Sequence, residues 1–456
     1  MVSCRLIEEV KLSSVVPATI TGEDKMSHRL KNMDLLMKVH YITTVHFFNR
    51  EAVEGLSIQD LKKPMFEWLD LYYPICGRIR RHHDGDGGRP YVKCNDSGVR
   101  IVEASCSSKT VDEWLESMDG GDHHRLLVYH QPLAHDLGFT PLVFLQFTKF
   151  KCGGLCVGMS WAHILGDAFS ASKCINTWGN IFMPPNHTTL PPHVLHMTST
   201  SPSIGHHLGT TSTFLPRSVK LLDRPSLGDS WFITPNNHSK MQMHTFHLKD
   251  IMSSSNFMMI SKDHVNKLVE PFHVISAIIW ISLSKIRGSI SNSLEPNIVT
   301  IVANKKGFDV SDEMILGNTH QVIGIVEAQS SSVKDADPLE LAKLIAEKFE
   351  DETIMIEKLL MEKENHDQNE TIDFVVYGGA NLTFVNFEQV DLYGLRVKRK
   401  GPVFANLSIG GVGDEGAVFV LPSGPEDGCG RIVNVILPED QLQDLKTDLQ
   451  VEWGIF

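Results

Sequence analysis

Two residues four positions apart, His163 and Asp167, have the types and spacing that could support chemistry. The imidazole ends an apolar, strand-like run, and the carboxylate follows one turn later. A histidine placed in this way can act as a general base, taking a proton from a hydroxyl, amine or thiol that attacks a thioester carbonyl. The reaction would be acyl transfer without a covalent enzyme intermediate, with His163 as base and Gly166 and Asp167 as structural residues.

The H-x-x-x-D spacing is weak evidence by itself, since a chain with 22 histidines is expected to contain about one such match by chance. A second match, from His82 to Asp86, lies in a polar, Gly- and Asp-rich run and is interpreted as a solvated loop. Asp167 could orient its own loop by pairing with an Arg or a Lys. Spacing alone leaves open whether His163 is catalytic.

The elements around His163 are a predicted hairpin and a helix. Two strand-like runs, 141–150 and 155–163, are joined by Gly153 and Gly154, which suits a tight turn and places His163 at a strand end. After Asp167 the sequence predicts a helix with one apolar side. That side comprises Phe169, Cys174, Trp178, Ile181 and Phe182.

Further helices and strands can be read from caps and periodicity. Ser57 and Asp60 form a capping box that opens a helix with apolar positions Leu61, Met65, Phe66, Leu69 and Tyr73. Residues 271–288 predict a buried helix. Asp337, Pro338 and Glu340 predict the start of an amphipathic helix. Strand-like runs dominate after residue 372.

Length and composition favour two large domains in a chain of 456 residues. A stretch rich in Pro, Ser, Thr and His predicts a crossover at 186–230 between an N-terminal domain, 1–185, and a C-terminal domain, 231–456. The net charge of −13 disfavours nucleic-acid binding. The apolar runs are too short to span a bilayer and the first residues lack a signal peptide, so a cytoplasmic protein is expected.

Three other motifs carry weaker signals. Gly411–Gly416 matches G-x-G-x-x-G, but a strand-like run follows it, which indicates a hairpin turn rather than a dinucleotide site. Cys152 and Cys156 flank the predicted hairpin turn, and we do not expect a metal there. The basic run Lys398–Lys400 could meet coenzyme A phosphates or be a solvated turn.

The chain resembles the plant BAHD acyltransferases in His163 to Asp167, in Gly317-Asn318 and in the run Asn381–Leu395. The resemblance implies a mixed α/β fold of two chloramphenicol-acetyltransferase-like domains, each a mixed sheet with flanking helices, joined by a crossover. It also implies a channel in which acyl-CoA and acceptor reach the histidine from opposite sides. No permanently bound cofactor is implied, acyl-CoA is the expected ligand, and a monomer is expected.

Two runs, 150–172 and 378–395, look like the eceriferum/Glossy branch, whose members support elongation of very-long-chain acyl-CoAs for cuticular wax. In the wider family a second motif, Asp-Phe-Gly-Trp-Gly, holds the channel. Here the matching stretch is Asp391-Leu-Tyr-Gly-Leu395, which retains only Asp391 at its position, as a structural residue or proton acceptor. We expect backbone strain at Tyr393 and Leu395, which replace glycines.

Three functional hypotheses follow. The leading one is a factor that works with a membrane-bound ketoacyl-CoA synthase to extend acyl-CoA chains, located at the cytosolic face of the endoplasmic reticulum through that partner. The second is a transferase that uses His163 to move an acyl group from coenzyme A to an alcohol or amine. The third is a non-catalytic interaction module of the elongase complex.

Overall fold

The computed structural model describes most of the chain. The described residues are 6–81, 89–117, 123–133, 136–182, 215–222, 231, 240–248, 269–289, 297–305, 316–328, 332–366, 373–425, 428 and 430–454. The second histidine match, His82 to Asp86, lies outside them, as do residues 183–214 and 223–230 of the predicted crossover region. The domain boundaries therefore stay predictions.

Strands and helices are interspersed along the described part of the chain. The strands are β1 Glu8–Val15, β2 Ser27–Arg29, β3 Tyr41–Phe48, β4 Arg78–Arg81, β5 Pro90–Lys93, β6 Val99–Cys106, β7 Val143–Phe150, β8 Leu155–Ala162, β9 Lys220–Leu222, β10 Met241–Leu248, β11 Ile298–Asn304, β12 Gln321–Glu327, β13 Glu350–Asp351, β14 Asp373–Val375, β15 Thr383–Asn386, β16 Phe404–Gly410, β17 Ala417–Pro422 and β18 Arg431–Pro438. The helices are α1 Asn32–Leu36, α2 Arg50–Val53, α3 Ile58–Leu71, α4 Val111–Glu116, α5 Ala168–Ile181, α6 Pro271–Ser289, α7 Pro338–Glu347, α8 Thr353–His366 and α9 Glu439–Trp453.

The first sheet has the strand order β1-β6-β7-β8-β3-β16. Five of these strands come from the first 162 residues. The sixth, β16, comes from the C-terminal half and pairs antiparallel with β3, with Thr43 opposite Ser408. The two halves of the chain therefore share one sheet. Its core is continuous with residues from beyond position 370, such as Phe387 and Phe419.

The second sheet has the order β10-β18-β17-β15-β11-β12-β13. Helix α6 packs against both α7 and α9, and the apolar residues of the three helices form one core with β11, β15, β17 and β18. Helix α6 is buried along most of its length, including Trp280 at 0% exposure. This confirms the buried helix predicted for residues 271–288.

Local sequence signals explain where the elements around the site begin. The β7–β8 hairpin forms as predicted, and Gly153 at its turn has φ +83°, which a glycine adopts without strain. The Ser57 side chain accepts the backbone N–H of Asp60 and opens α3. Phe66 was predicted to lie on the apolar face, but it is 42% exposed. The G-x-G-x-x-G run precedes strand β17, as expected, but the predicted hairpin is wrong, because the run connects β16 of the first sheet to β17 of the second.

Within the described part of the chain, no helix is long and apolar enough to cross a bilayer.

Candidate functional site

His163 directly follows strand β8, in a single 3₁₀ turn, His163–Leu165. Its backbone N–H donates to the carbonyl oxygen of His40 at 3.2 Å, which ties it to the start of β3. Gly166 ends the turn with φ +154°, and a Cβ there would lie 2.8 Å from the backbone nitrogen of Gly317. Both observations support a structural role for Gly166, since only glycine permits this approach.

Asp167 is the N-cap of α5 and its side chain points into the protein. Its Oδ1 accepts the backbone N–H of Ser170 at 3.1 Å. Its partner is not an Arg or Lys, as the sequence suggested, but His320: Nδ1 lies 2.8 Å from Oδ2, and the His320 backbone N–H donates to the same oxygen at 3.0 Å. The carboxylate is 2% exposed. Asp167 therefore fastens the His163 turn to the start of β12.

A second carboxylate, that of Asp34, supports the same turn through Asn318. The backbone N–H and side-chain amide of Asn318 both donate to Asp34 Oδ1, at 2.9 and 3.0 Å. The Asn318 amide also donates to the carbonyl oxygen of His163 at 3.0 Å. Gly317 and Asn318, part of the family resemblance, thus join the two halves of the chain at His163.

The His163 imidazole is itself engaged. Its Nε2 lies 2.9 Å from the hydroxyl oxygen of Tyr377, and the two share a hydrogen bond. Either the hydroxyl donates to Nε2 or Nε2–H donates to the hydroxyl, so Nε2 is occupied in both tautomers. Nδ1 is buried, without a hydrogen-bond partner among the described residues. His163 and Tyr377 are 1% and 0% exposed.

Tyr377 also packs edge-on against the ring of His40, with ring centroids 4.8 Å apart. His40 Nε2 accepts the backbone N–H of Val376 at 3.2 Å, so this nitrogen is deprotonated. His40, His163 and Tyr377 form one buried cluster between β3, β8 and the segment before β15. The sequence contained no motif that pointed to His40, Tyr377 or His320.

Burial sets the protonation of this cluster. It lowers the pKa of His163 to about 4 and that of His40 to about 3, where the nearby His163 adds to the effect. Burial raises the pKa of Tyr377 far above its usual value. At Asp167 burial opposes ionisation, but the hydrogen bonds and charge of His320 outweigh it and hold the pKa below its usual value. Near neutral pH His163 is therefore neutral and Asp167 is ionised.

A cleft of about 690 Å³ opens beside the cluster. It lies over strands β3 and β16 and reaches Val39 and Tyr41, next to His40, while Met243 and Ile436 line it from the second sheet. Its wall is mainly apolar, and its volume lies within the range usual for small-molecule sites. His163 is not part of the lining.

Asp391 lies away from the imidazole, against the middle of α5. Its carbonyl oxygen accepts hydrogen bonds from Ser172 Oγ at 2.5 Å and from the Asn176 amide at 2.9 Å, and its Oδ2 accepts the same amide at 3.2 Å. These contacts favour the structural role over proton transfer. The expected strain is absent at Tyr393 and Leu395, neither of which has a positive φ. The backbone has adopted a conformation that side chains allow.

Lys398 and Lys400 meet helix α2 rather than the His163 turn. Lys398 Nζ donates to the carbonyl oxygen of Glu54 at 2.8 Å, and Lys400 Nζ lies 3.1 Å from Glu51 Oε2. Both lie at the opposite end of the first sheet from His163.

The shared sheet and the buried H-x-x-x-D turn define an acyltransferase-type architecture. A family model described as "Transferase family" matches residues 6–451. The chain belongs to this family, the BAHD acyltransferases.

Individual relatives and structures agree with this assignment. The chain is 38% identical to Protein ECERIFERUM 2 of Arabidopsis thaliana over 97% of its own length and 98% of the relative's. It is 34% identical to Protein ECERIFERUM 26 of the same plant, over 97% and 95%. The crystal structure of vinorine synthase superposes with a TM-score of 0.66 at 18% identity, covering 98% of both chains. That likeness confirms the predicted mixed α/β, two-domain acyltransferase fold.

A second solved structure shows the same fold with a ligand. TRI101 of F. graminearum, complexed with coenzyme A and deoxynivalenol, superposes with a TM-score of 0.66 at 14% identity, covering 94% of this chain and 98% of that one.

Proposed function

We propose that this protein supports very-long-chain acyl-CoA elongation in cuticular wax biosynthesis, together with a ketoacyl-CoA synthase, without using His163 as a base. The observation that carries the proposal is the hydrogen bond between His163 Nε2 and the Tyr377 hydroxyl inside a closed core. A general base must reach the proton that it removes. Here Nε2 is hydrogen-bonded to Tyr377 and Nδ1 is buried, so neither nitrogen is accessible to the alcohol or amine of an acyl acceptor.

The relatives support the wax assignment. The chain is 38% and 34% identical to Protein ECERIFERUM 2 and Protein ECERIFERUM 26, over nearly its whole length. The degenerate second motif supports the same conclusion, because Asp391-Leu-Tyr-Gly-Leu395 lacks the tryptophan and both glycines of Asp-Phe-Gly-Trp-Gly.

The cleft supplies a physical basis for chain-length selection. Its apolar wall, which includes Val45, Leu407 and Ile409, suits a hydrocarbon chain. Each buried methylene contributes about 0.8 kcal/mol, so two further carbons strengthen binding roughly tenfold. Very-long-chain acyl-CoA is therefore the proposed ligand. Binding of this ligand distinguishes the proposal from the hypothesis of an interaction module that only contacts the synthase.

The test is product chain length in cells that co-express a wax ketoacyl-CoA synthase with the wild-type protein or with a His163 variant at matched levels. We expect His163→Ala and His163→Gln to extend products as far as wild type does. Tyr377→Phe, which removes only the hydroxyl, is the matched variant on the other side of the hydrogen bond. It is also expected to leave chain length unchanged.

Two outcomes would overturn the proposal. Loss of extension in His163→Gln, with thermal unfolding unchanged, would make the imidazole essential and favour a transferase. Failure of the isolated protein to bind very-long-chain acyl-CoA, measured by calorimetry, would favour a non-catalytic interaction module.

A further inference from the structure

One end of the first sheet collects cationic side chains from several strands. There β3 ends at Phe48, β7 ends at Phe150 and β8 begins at Leu155, which pairs with Phe48. Strand β16 begins at the same end, with Phe404 opposite Phe47. His163 follows the other end of β8. Eight residues of strand separate the two ends by roughly 26 Å.

The cations at this end, which we call the basic end, are exposed. They are Arg50, Lys149, Lys151, Lys398, Arg399 and Lys400. Lys149 and Lys151 form no ion pair with other described side chains. Two carboxylates pair with cations of this end: Glu54 Oε1 lies 2.8 Å from Arg50 Nη2, and Glu51 Oε2 lies 3.1 Å from Lys400 Nζ. The acidic residues of α4 lie beyond Lys151.

A shallow pocket of about 380 Å³ opens among these cations. Arg50, Lys149 and Lys151 contribute to its lining, together with Glu54 and apolar side chains of α2, α3 and β8. Apolar side chains beside three cations and one carboxylate suit the boundary between phosphate groups and acyl chains.

The turn Val397–Lys400 carries an unusual backbone. Val397 and Lys400 exchange two backbone hydrogen bonds of 2.9 Å, and the residues between them, Lys398 and Arg399, have φ of +48° and +69°. Asn-Gly is the favoured pair in such a turn. Long cationic residues in a left-handed backbone cost stability, and such outliers concentrate where function requires them.

We propose that the basic end docks the protein on an anionic phospholipid surface. The whole chain carries a net charge of −13, so a negative surface repels most of the molecule and attracts this end. The cations are spread over three strand ends, those of β3, β7 and β16, rather than converging on one point, which suits a plane of headgroups better than a single phosphate. This docking leaves the His163 end directed away from the lipid, and it does not depend on the role proposed for His163.

The test is co-sedimentation of the full-length protein with phosphatidylcholine vesicles, with and without phosphatidylserine. We expect binding only to the anionic vesicles, and loss of binding when NaCl is raised from 0.1 to 1 M, which shortens the Debye length from about 10 to about 3 Å. The variant Lys149→Glu with Lys151→Glu should bind at least about 30-fold more weakly, since each cation contributes roughly fivefold.

The matched control is Lys220→Glu with Lys348→Glu, which makes the same change in net charge at exposed lysines away from the basic end. It should bind within about twofold of wild type. Equal loss in both variants would show a net-charge effect and overturn the proposal, as would equal wild-type binding to both kinds of vesicle. Displacement from vesicles by coenzyme A at matched ionic strength would also overturn it, and would assign the cations to a nucleotide.

Discussion

The two ends of the first sheet present polar groups in opposite ways. At the His163 end, Asp34, Asp167 and His163 are at most 3% exposed, and each is held by hydrogen bonds to the other half of the chain. At the basic end, the charged groups are exposed and two of the lysines are unpaired among the described residues. The first arrangement fixes the two halves together, whereas the second is open to a partner.

Breaking the Asp167–His320 pair should have the largest effect on stability. Asp167→Asn keeps an N-cap for α5 but removes a buried charge-assisted hydrogen bond, so we expect unfolding to become easier by about 2 to 4 kcal/mol. Asp337→Asn is the matched control, because Asp337 caps α7 on the surface. It should change the unfolding free energy by less than about 0.5 kcal/mol in urea titrations. Equal changes in unfolding free energy in the two variants would mean that the contact with His320 adds nothing to stability.

The next largest effect on stability is expected from lowering the pH, which acts on the buried histidines at the His163 end. His163 and His40 have folded pKa values of about 4 and about 3, below the unfolded value of 6.5. Below pH 6.5 the unfolded chain therefore binds more protons than the folded chain, and stability falls as the pH drops. Each histidine accounts for about 2 kcal/mol between pH 7 and pH 5.

The slope of stability against pH provides the measurement. In His163→Gln, the loss between pH 7 and pH 5 should be smaller than in wild type by about 2 kcal/mol, whatever the variant's absolute stability. An unchanged loss would show that His163 titrates normally and is not closed off from water.

The smallest change in stability is expected at the basic end, and it is a gain rather than a loss. Replacing Lys398→Asn and Arg399→Gly relieves the left-handed turn and should stabilise the protein by about 1 kcal/mol, while weakening vesicle binding. Thermal unfolding and co-sedimentation of the same variant provide both readouts. If the variant gains stability and still binds vesicles as wild type does, the turn does not contribute to membrane docking.

The sequence predicted the parts of the site that depend on local signals. The β7–β8 hairpin, the position of His163 at a strand end and the helix that follows Asp167 were predicted from turns, periodicity and short spacings. The partners of these residues did not. His320 and Tyr377 lie 153 and 214 positions from Asp167 and His163, and no local pattern records such distant contacts.

The second motif shows a different limit. Tyr393 and Leu395 were expected to be strained because they replace glycines of the family pattern. Leu395 is instead fully buried beside Gly179 of α5, and neither residue needs a left-handed backbone. A motif position thus does not fix its backbone conformation when several neighbours change together.

Strand β16 has a consequence for the order in which this chain can fold. Thr43 and Ser408, neighbours in the first sheet, are 365 positions apart. At the usual rates of translation, roughly 20 to 70 s pass between the synthesis of β3 and that of β16. During that interval β3 has an open edge that other strands could pair with. The nascent N-terminal half is therefore expected to need protection from aggregation until β16 has been synthesised.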